Sequence, residues 1–270
     1  MYISIKNRLI FLLIVFTLLP FILLRIIAYP RVQADLQDVL IRNLDGIGHK
    51  QSELVTNWMR ERVKDSRVIA SNPLIVKCAK ITRDDKDYMD ILQYLEVAKI
   101  EYDYRGILIS NNKGLVTITT IEEGGIHDIS GMDYFKQAVQ GNTFVSGVIP
   151  SEIPLLNEVG EMELGMPTMF VSAPLKDRDG AVIGVIALRI DVDTLNGLML
   201  SLRLGKTGET YLVNKDGYMI TESRLSTHLK DKGLVKKRSA LELKLVNPET
   251  GEMTDGVKQC INGNSGFNAK

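Results

Sequence analysis

The chain is poor in the residues that most chemistry requires. Cys78 and Cys260 are its only cysteines, with no CxxC between them. An oxidising compartment would permit a disulfide, but nothing in the spacing favours one, and two unpaired buried thiols are expected. His49, His127 and His228 stand alone, so no zinc-ligand spacing exists. Lys plus Arg equals Asp plus Glu at 33 each, leaving no net charge. A protein that binds nucleic acid would need a basic excess, so that partner is not expected. Ser146 and Ser172 are the conceivable nucleophiles, with His127 as base, but neither serine sits in a GxSxG turn. No catalytic residue and no cofactor is expected, and the chain does not read as an enzyme. A second long apolar run is also missing.

The one such run is near the start. Leu9 to Leu24 carries no charge and is broken only by Thr17 and Pro20. Extended to Tyr29 it has about the ~20 residues needed to cross a bilayer as a helix. Lys6 and Arg8 precede it, which predicts a cytoplasmic tail over 1–8 and a periplasmic or extracellular remainder. Arg25 and Arg31 weaken the asymmetry, although Arg25 can snorkel. A cleaved signal peptide would need a small-residue site, and Ile26-Ile27-Ala28-Tyr29-Pro30 is a poor one. The expectation is an anchor over 9–29 in the plasma (inner) membrane.

Strong helix formers follow. Leu40, Ile47 and Leu54 recur every seven residues, as do Leu44, Gln51 and Trp58. This predicts a stalk helix over 30–77, ended at Asn72-Pro73. Its seam either pairs with a second copy as a homodimer or packs on its own domain. A shorter helix is predicted over Asp84 to Lys99. Beyond it the texture becomes strand-like. Gly106–Ser110 and Leu115–Thr119 flank Asn111-Asn112-Lys113-Gly114, a hairpin signature. Tyr211–Ile220 repeats that order, with Asn214 at the place of Asn111 and Gly217 at that of Gly114. A third hairpin, Phe170–Leu175 with Ala181–Ile190, turns at Asp179-Gly180. Asp133–Gln140 reads as a short helix stopped by Gly141, then Phe144–Ile149 as a strand. Pro150–Pro167 reads as a loop able to cover a pocket. Asp193 is expected to cap a helix over Thr194–Leu202. The fold class is thus α+β, with antiparallel modules over 78–200 and 201–270, the second incomplete.

Several ordered segments resemble the double-Cache extracytoplasmic sensor domains of bacterial transmembrane receptors, found in chemoreceptors, sensor histidine kinases and diguanylate cyclases. Trp58-Met59-Arg60-Glu61-Arg62, Asp65 and Ala70-Ser71-Asn72-Pro73 resemble that family's stalk. Gly131-Met132-Asp133-Tyr134-Phe135, Gly141 and Phe144-Val145-Ser146 resemble its pocket helix and next strand. Asp179-Gly180, Gly184-Val185 and Asp193-Thr194-Leu195 resemble its last hairpin and connector. Gly205-Lys206-Thr207-Gly208 with Asn214–Gly217 resembles the start of its second module. The resemblance runs over about residues 8–268. It implies two PAS-like modules, a small-molecule ligand in the membrane-distal one, and a chain that stops short of a second span and an output domain.

In amino-acid-binding members an Arg on the pocket helix pairs the ligand carboxylate and an Asp on the last strand pairs its ammonium. Here those positions hold Met132 and Arg189, so an ordinary α-amino acid is disfavoured. Tyr134 and Phe135 match the aromatic positions. The candidate ligand residues are therefore Met132, Asp133, Tyr134, Phe135, Arg189, His127 and Ser146, with no metal. Arg189 facing the cleft would suit a small carboxylate. Its alternation with Ile186, Leu188 and Ile190 also allows it to face solvent. Asp133 has a helix-capping alternative and His127 a surface-loop one. Asp191 and Asp193 fit strand-end and cap roles better than a metal. The remaining alternative is a structural, dimerising ectodomain with a vestigial pocket.

Overall fold

The computed structural model describes residues 5–121, 126–157, 160–201, 204, 205 and 208–266. The chain divides into two compact units, 1–50 and 51–270.

In the first unit, helix α1 (Ile5–Leu23) continues through a π-helical turn, Leu24–Ala28, into α2 (Tyr29–Ser71). None of the α1 residues is buried, and among the described residues the helix it opens is the one long and apolar enough to cross a membrane. The Thr17 hydroxyl donates back to the Leu13 carbonyl at 2.9 Å, so it adds no unmet polar group to the apolar surface. Leu36, Leu40 and Leu44 are exposed along the start of α2.

The second unit begins with the rest of α2. Its seam turns inward at Gln51, whose amide donates to the Met199 carbonyl at 3.1 Å. Val55, Trp58, Met59 and Val63 then pack on the core of their own chain. At this height the heptad pattern serves the domain itself. Asn72 ends α2 and caps α3 (Pro73–Cys78) by accepting the Leu74 N–H at 2.9 Å, with proline at the position that needs no N–H. Helix α4 (Tyr88–Glu101) starts four residues later than expected. Asp85 binds the Thr82 N–H and holds the preceding residues in a turn.

A five-stranded antiparallel sheet forms the centre. It comprises β1 (Tyr104–Asn111), β2 (Val116–Thr119), β3 (Phe144–Pro150), β6 (Pro167–Lys176) and β7 (Val182–Ile190), in the order β2-β1-β7-β6-β3. The two-residue strands β4 (Leu155–Leu156) and β5 (Met162–Glu163) make a separate hairpin within the covering loop. Helix α5 (Asp133–Val139) precedes β3, and α6 (Val192–Leu200) follows β7.

One turn chemistry recurs. Asn111, Asp177 and Asn214 each accept two backbone N–H bonds through the side chain, from residues two and four places on. Each is followed by a glycine in the left-handed region: Gly114, Gly180 and Gly217 at φ 92°, 84° and 81°. An Asx side chain and a positive-φ glycine together close a tight hairpin, which is why the sequence repeat was visible.

The sheet has two unlike faces. Ile107, Ile109, Ile186, Leu188 and Ile190, with Val171 and Leu175, pack against α2, α3, α4 and α6. Leu108, Phe170, Val185 and Ala187 pack against Tyr134, Phe135 and Ala138 of α5. Both faces are covered, so β7 is buried on both sides along most of its length.

The segment after residue 201 has less regular pairing than its sequence suggests. The Tyr211–Ile220 hairpin forms as a bridge between Val213 and Met219, and Tyr218 bridges Lys244. Leu241, in the left-handed region at φ 65°, interrupts the partner segment. Two short helices, α7 (Ser226–Asp231) and α8 (Asp255–Ile261), complete the described part. Lys206 and Thr207 of the expected module start, and Leu202 of the expected connector helix, lie outside the described residues.

Candidate functional site

The less regular face of the sheet carries a cleft, and its chemistry is set by strand register. Arg189 lies across from Phe170 on β6 and from Gly106 on β1. It therefore points to the α5 side, not to the aliphatic side. The alternative that alternation puts Arg189 in solvent is wrong: it is 2% exposed, because α5 and the covering loop roof this second face. Gly106 makes the space. A Cβ there would stand 2.5 Å from Ile121 Cγ1, so a side chain would displace Ile121 beside Arg189.

Two hydroxyls hold the guanidinium. Nε donates to Thr168 Oγ1 at 2.9 Å and one Nη to Ser151 Oγ at 3.0 Å. No carboxylate of a described residue stands within 4.0 Å of it. The neighbouring Asp191 is already committed. Its Oδ2 pairs with Arg105 at 2.6 Å and its Oδ1 accepts the Asp193 N–H at 2.9 Å, making Asp191 the cap of α6 in place of the expected Asp193. Burial, and then the like charge of Arg105, draw the Arg189 pKa down to about 10. It stays a cation at neutral pH, yet it is a buried one with no carboxylate within 4.0 Å among the described residues.

Tyr134 stands beside it. The ring is stacked on Phe170, centroids 4.6 Å apart, and the hydroxyl is buried with no hydrogen-bond partner among the described residues. Burial, reinforced by the negative charge of Glu152, pushes its pKa up, so it is a neutral donor. The cleft is lined by Met132, Tyr134 and Phe170 on one side and Ser151, Thr168 and Arg189 on the other. Ile126, Ile149, Pro150 and Glu152 complete it. Its free volume is about 10 Å³. That is roughly one water's requirement. The site is preformed in chemistry and closed in shape.

Met132, Tyr134 and Arg189 thus meet. The other candidates fall outside the lining. Phe135 is buried in the core behind Tyr134. Asp133 is exposed at the first turn of α5, 3.8 Å from Lys136, and the cap position belongs to Met132. His127 is exposed, and its carbonyl accepts the Val116 N–H. Ser146 donates to the Gly147 carbonyl and accepts the Phe170 N–H at the β3 irregularity. Ser151 and Thr168 were not anticipated. Thr168 had a faint signal as a polar residue near the start of a largely apolar strand. Ser151 had none beyond lying in the covering loop.

Comparison with known proteins agrees with this architecture. Residues 32–266 match the Cache domain family. No protein of curated function matches the chain by sequence. Among solved structures, the sensor domain of the Vibrio cholerae histidine kinase DctB superposes with a TM-score of 0.52 at 10% identity. The match covers 68% of this chain and 67% of that one. The ligand-binding domain of the Campylobacter jejuni chemoreceptor Tlp3, in complex with L-valine, gives 0.52 at 16% identity over 71% and 74% of the two chains. The same sensory domain with isoleucine bound gives the same values. At such identities the likeness speaks for the fold alone. With a family match spanning most of its length, the chain belongs to the Cache family of sensor domains.

Proposed function

We propose that this chain is the extracytoplasmic sensing region of a membrane-anchored receptor, and that the Arg189 cleft takes a small carboxylate. The observation that carries the reading is the buried guanidinium, which has no carboxylate partner among the described residues. A cation removed from water costs several kcal/mol unless paired, and two neutral hydroxyls are a weak substitute. A carboxylate entering the cleft would supply the missing charge, with the free Tyr134 hydroxyl as a further donor. The Tlp3 domain holds valine or isoleucine. Here Met132 replaces the arginine and Arg189 the aspartate that the resemblance assigns to an amino-acid ligand, so the ammonium has no such partner and an acid without one fits better.

On this reading α1 spans the plasma membrane, the remainder is periplasmic or extracellular, and a homodimer forms through the exposed Leu36, Leu40 and Leu44 seam of α2. The membrane-distal module covers about 78–200 and the proximal one 201–270. Ligand binding favours one arrangement of helices, and the stalk conveys it to an output domain. A purely structural ectodomain is the second reading, and the shut cleft is what favours it.

The test is a thermal-shift series on the purified full chain with acetate, propionate and lactate, against methylamine and glucose. At ten times Kd a carboxylate should add about 1.4 kcal/mol and raise Tm by about 3–5 °C. Arg189→Met should abolish the shift. A folded protein that responds to no carboxylate would sink the reading.

A further inference from the structure

The loop that roofs the cleft is fastened at two places. At its neck, Ser151 gives its N–H to the Met166 carbonyl at 2.8 Å and takes the Gly165 N–H on its own carbonyl at 3.0 Å. The same Ser151 accepts from Arg189 through its hydroxyl. Further along, the β4–β5 hairpin brings Glu163, paired with Leu155 on the side away from the turn, against two cations of the 201–270 segment. These are Arg238, in a short ion pair, and Lys237 at 3.1 Å. Asn157 donates to the other Glu163 oxygen at 3.2 Å. Glu163 and Arg238 are both largely buried at this contact, whereas Met162 and Leu164 on either side of Glu163 are exposed. The carboxylate thus ties the β4–β5 hairpin to the 201–270 segment.

The other half of the contact is firmly mounted. Ser239 gives its N–H and its hydroxyl to Glu222, at 3.0 and 2.7 Å. Ser223 gives its N–H to Ser239 Oγ, and the Glu222 N–H reaches Asn196 on α6. Arg238 therefore sits beside a satisfied polar core, while Glu163 sits on a light two-stranded flap.

We infer that Glu163 and Arg238 are positioning residues for the ligand site, forming a latch by which the 201–270 segment holds the loop, and with it Ser151, over Arg189. The inference rests on the reading of the Arg189 cleft as the ligand site. A cleft with space for about one water admits a carboxylate only when the loop lifts. Lifting the loop strains or breaks the Glu163 contact. Occupancy of the cleft and engagement of the 201–270 segment then become one linked equilibrium, and the linkage is reciprocal.

The test needs no ligand, so it stands or falls apart from the carboxylate assignment. Hydrogen exchange is measured on the full chain in detergent for Glu163→Gln, for Arg238→Gln and for the double exchange Glu163→Arg with Arg238→Glu. The Ser151 and Gly165 amides should exchange about tenfold faster in each single variant, while the β7 amides stay protected. The double exchange should restore the wild-type rate, which a merely structural loss would not do. Lys237→Gln, at the exposed cation, should leave both amides slow. Unchanged neck exchange in Glu163→Gln, or a double exchange that stays fast with β7 intact, overturns the latch.

Discussion

The two faces of the central sheet are built to different rules. The face toward α2, α3, α4 and α6 is Ile107, Ile109, Ile186, Leu188 and Ile190, all buried and all aliphatic. The face toward α5 puts Gly106, Ser110, Ala187 and Arg189 on the same strands, β1 and β7. Among the described residues it contains a buried cation with no carboxylate within 4.0 Å and two buried hydroxyls without partners, on Ser110 and Tyr134. The first face gains stability from area and close packing. The second gives up stability to keep polar groups dry and unspent. A sensor has reason to segregate them: the frame must not respond to the ligand, and the cleft must.

Stability changes should separate along that division. Leu188→Ala, on the aliphatic face, should cost about 2–5 kcal/mol, read as a lower urea midpoint. Its affinity for a carboxylate should survive wherever the protein remains folded. Gly106→Ala should cost about 1–3 kcal/mol by overpacking, because its Cβ would stand 2.5 Å from Ile121 Cγ1. Unlike Leu188→Ala, it should also weaken ligand binding, since the added Cβ would stand 3.8 Å from Arg189 Cβ and push Ile121 aside next to it. Equal binding losses in the two variants would erase the distinction between the faces.

Arg189→Met sharpens the comparison because its two effects should oppose. Replacing a buried ion pair by apolar side chains of similar size is often neutral, or stabilising by about 1–4 kcal/mol, and a lone buried ion has no partner's attraction to lose. The lost bonds to Ser151 and Thr168 offset part of this. Ligand-free Tm should therefore hold or rise by a few degrees while the carboxylate response disappears. A large fall in Tm would make Arg189 a structural residue after all.

The frame was far more legible in the sequence than the cleft, for a physical reason. Periodicity and turn chemistry are local, so the Asn111 and Asn214 turns, the Asn72-Pro73 break and the β6–β7 hairpin could be read from neighbours along the chain. The cleft is made by register and by a loop folding back. Arg189 looked equally able to face water, because nothing in Ile186–Ile190 says that the opposite face has its own roof. Ser151 reaches Arg189 from 38 residues away. The pairing of Asp191 with Arg105, which leaves Arg189 without that partner, spans 86 residues. In the 201–270 segment the repeat promised a sheet, and the left-handed Leu241 yields bridges in its place.

The smallest stability effect tests the polar economy of the cleft most directly. Tyr134 has its ring fixed by Phe170 and its hydroxyl dry and unpaired. An unmet buried hydroxyl carries a desolvation cost of about 1–3 kcal/mol, with no bond to offset it. Tyr134→Phe keeps the ring and removes that cost, so ligand-free stability should rise by up to about 1 kcal/mol. If the hydroxyl waits for a carboxylate oxygen, the same change should weaken ligand binding by roughly tenfold, the loss of one good hydrogen bond. Arg189 would still anchor the acid, so some response remains, unlike in Arg189→Met. Calorimetric titration of both variants with the same carboxylate decides the matter. Undiminished affinity in Tyr134→Phe would assign the lone hydroxyl to imperfect packing and leave Arg189 as the sole polar reason for the cleft.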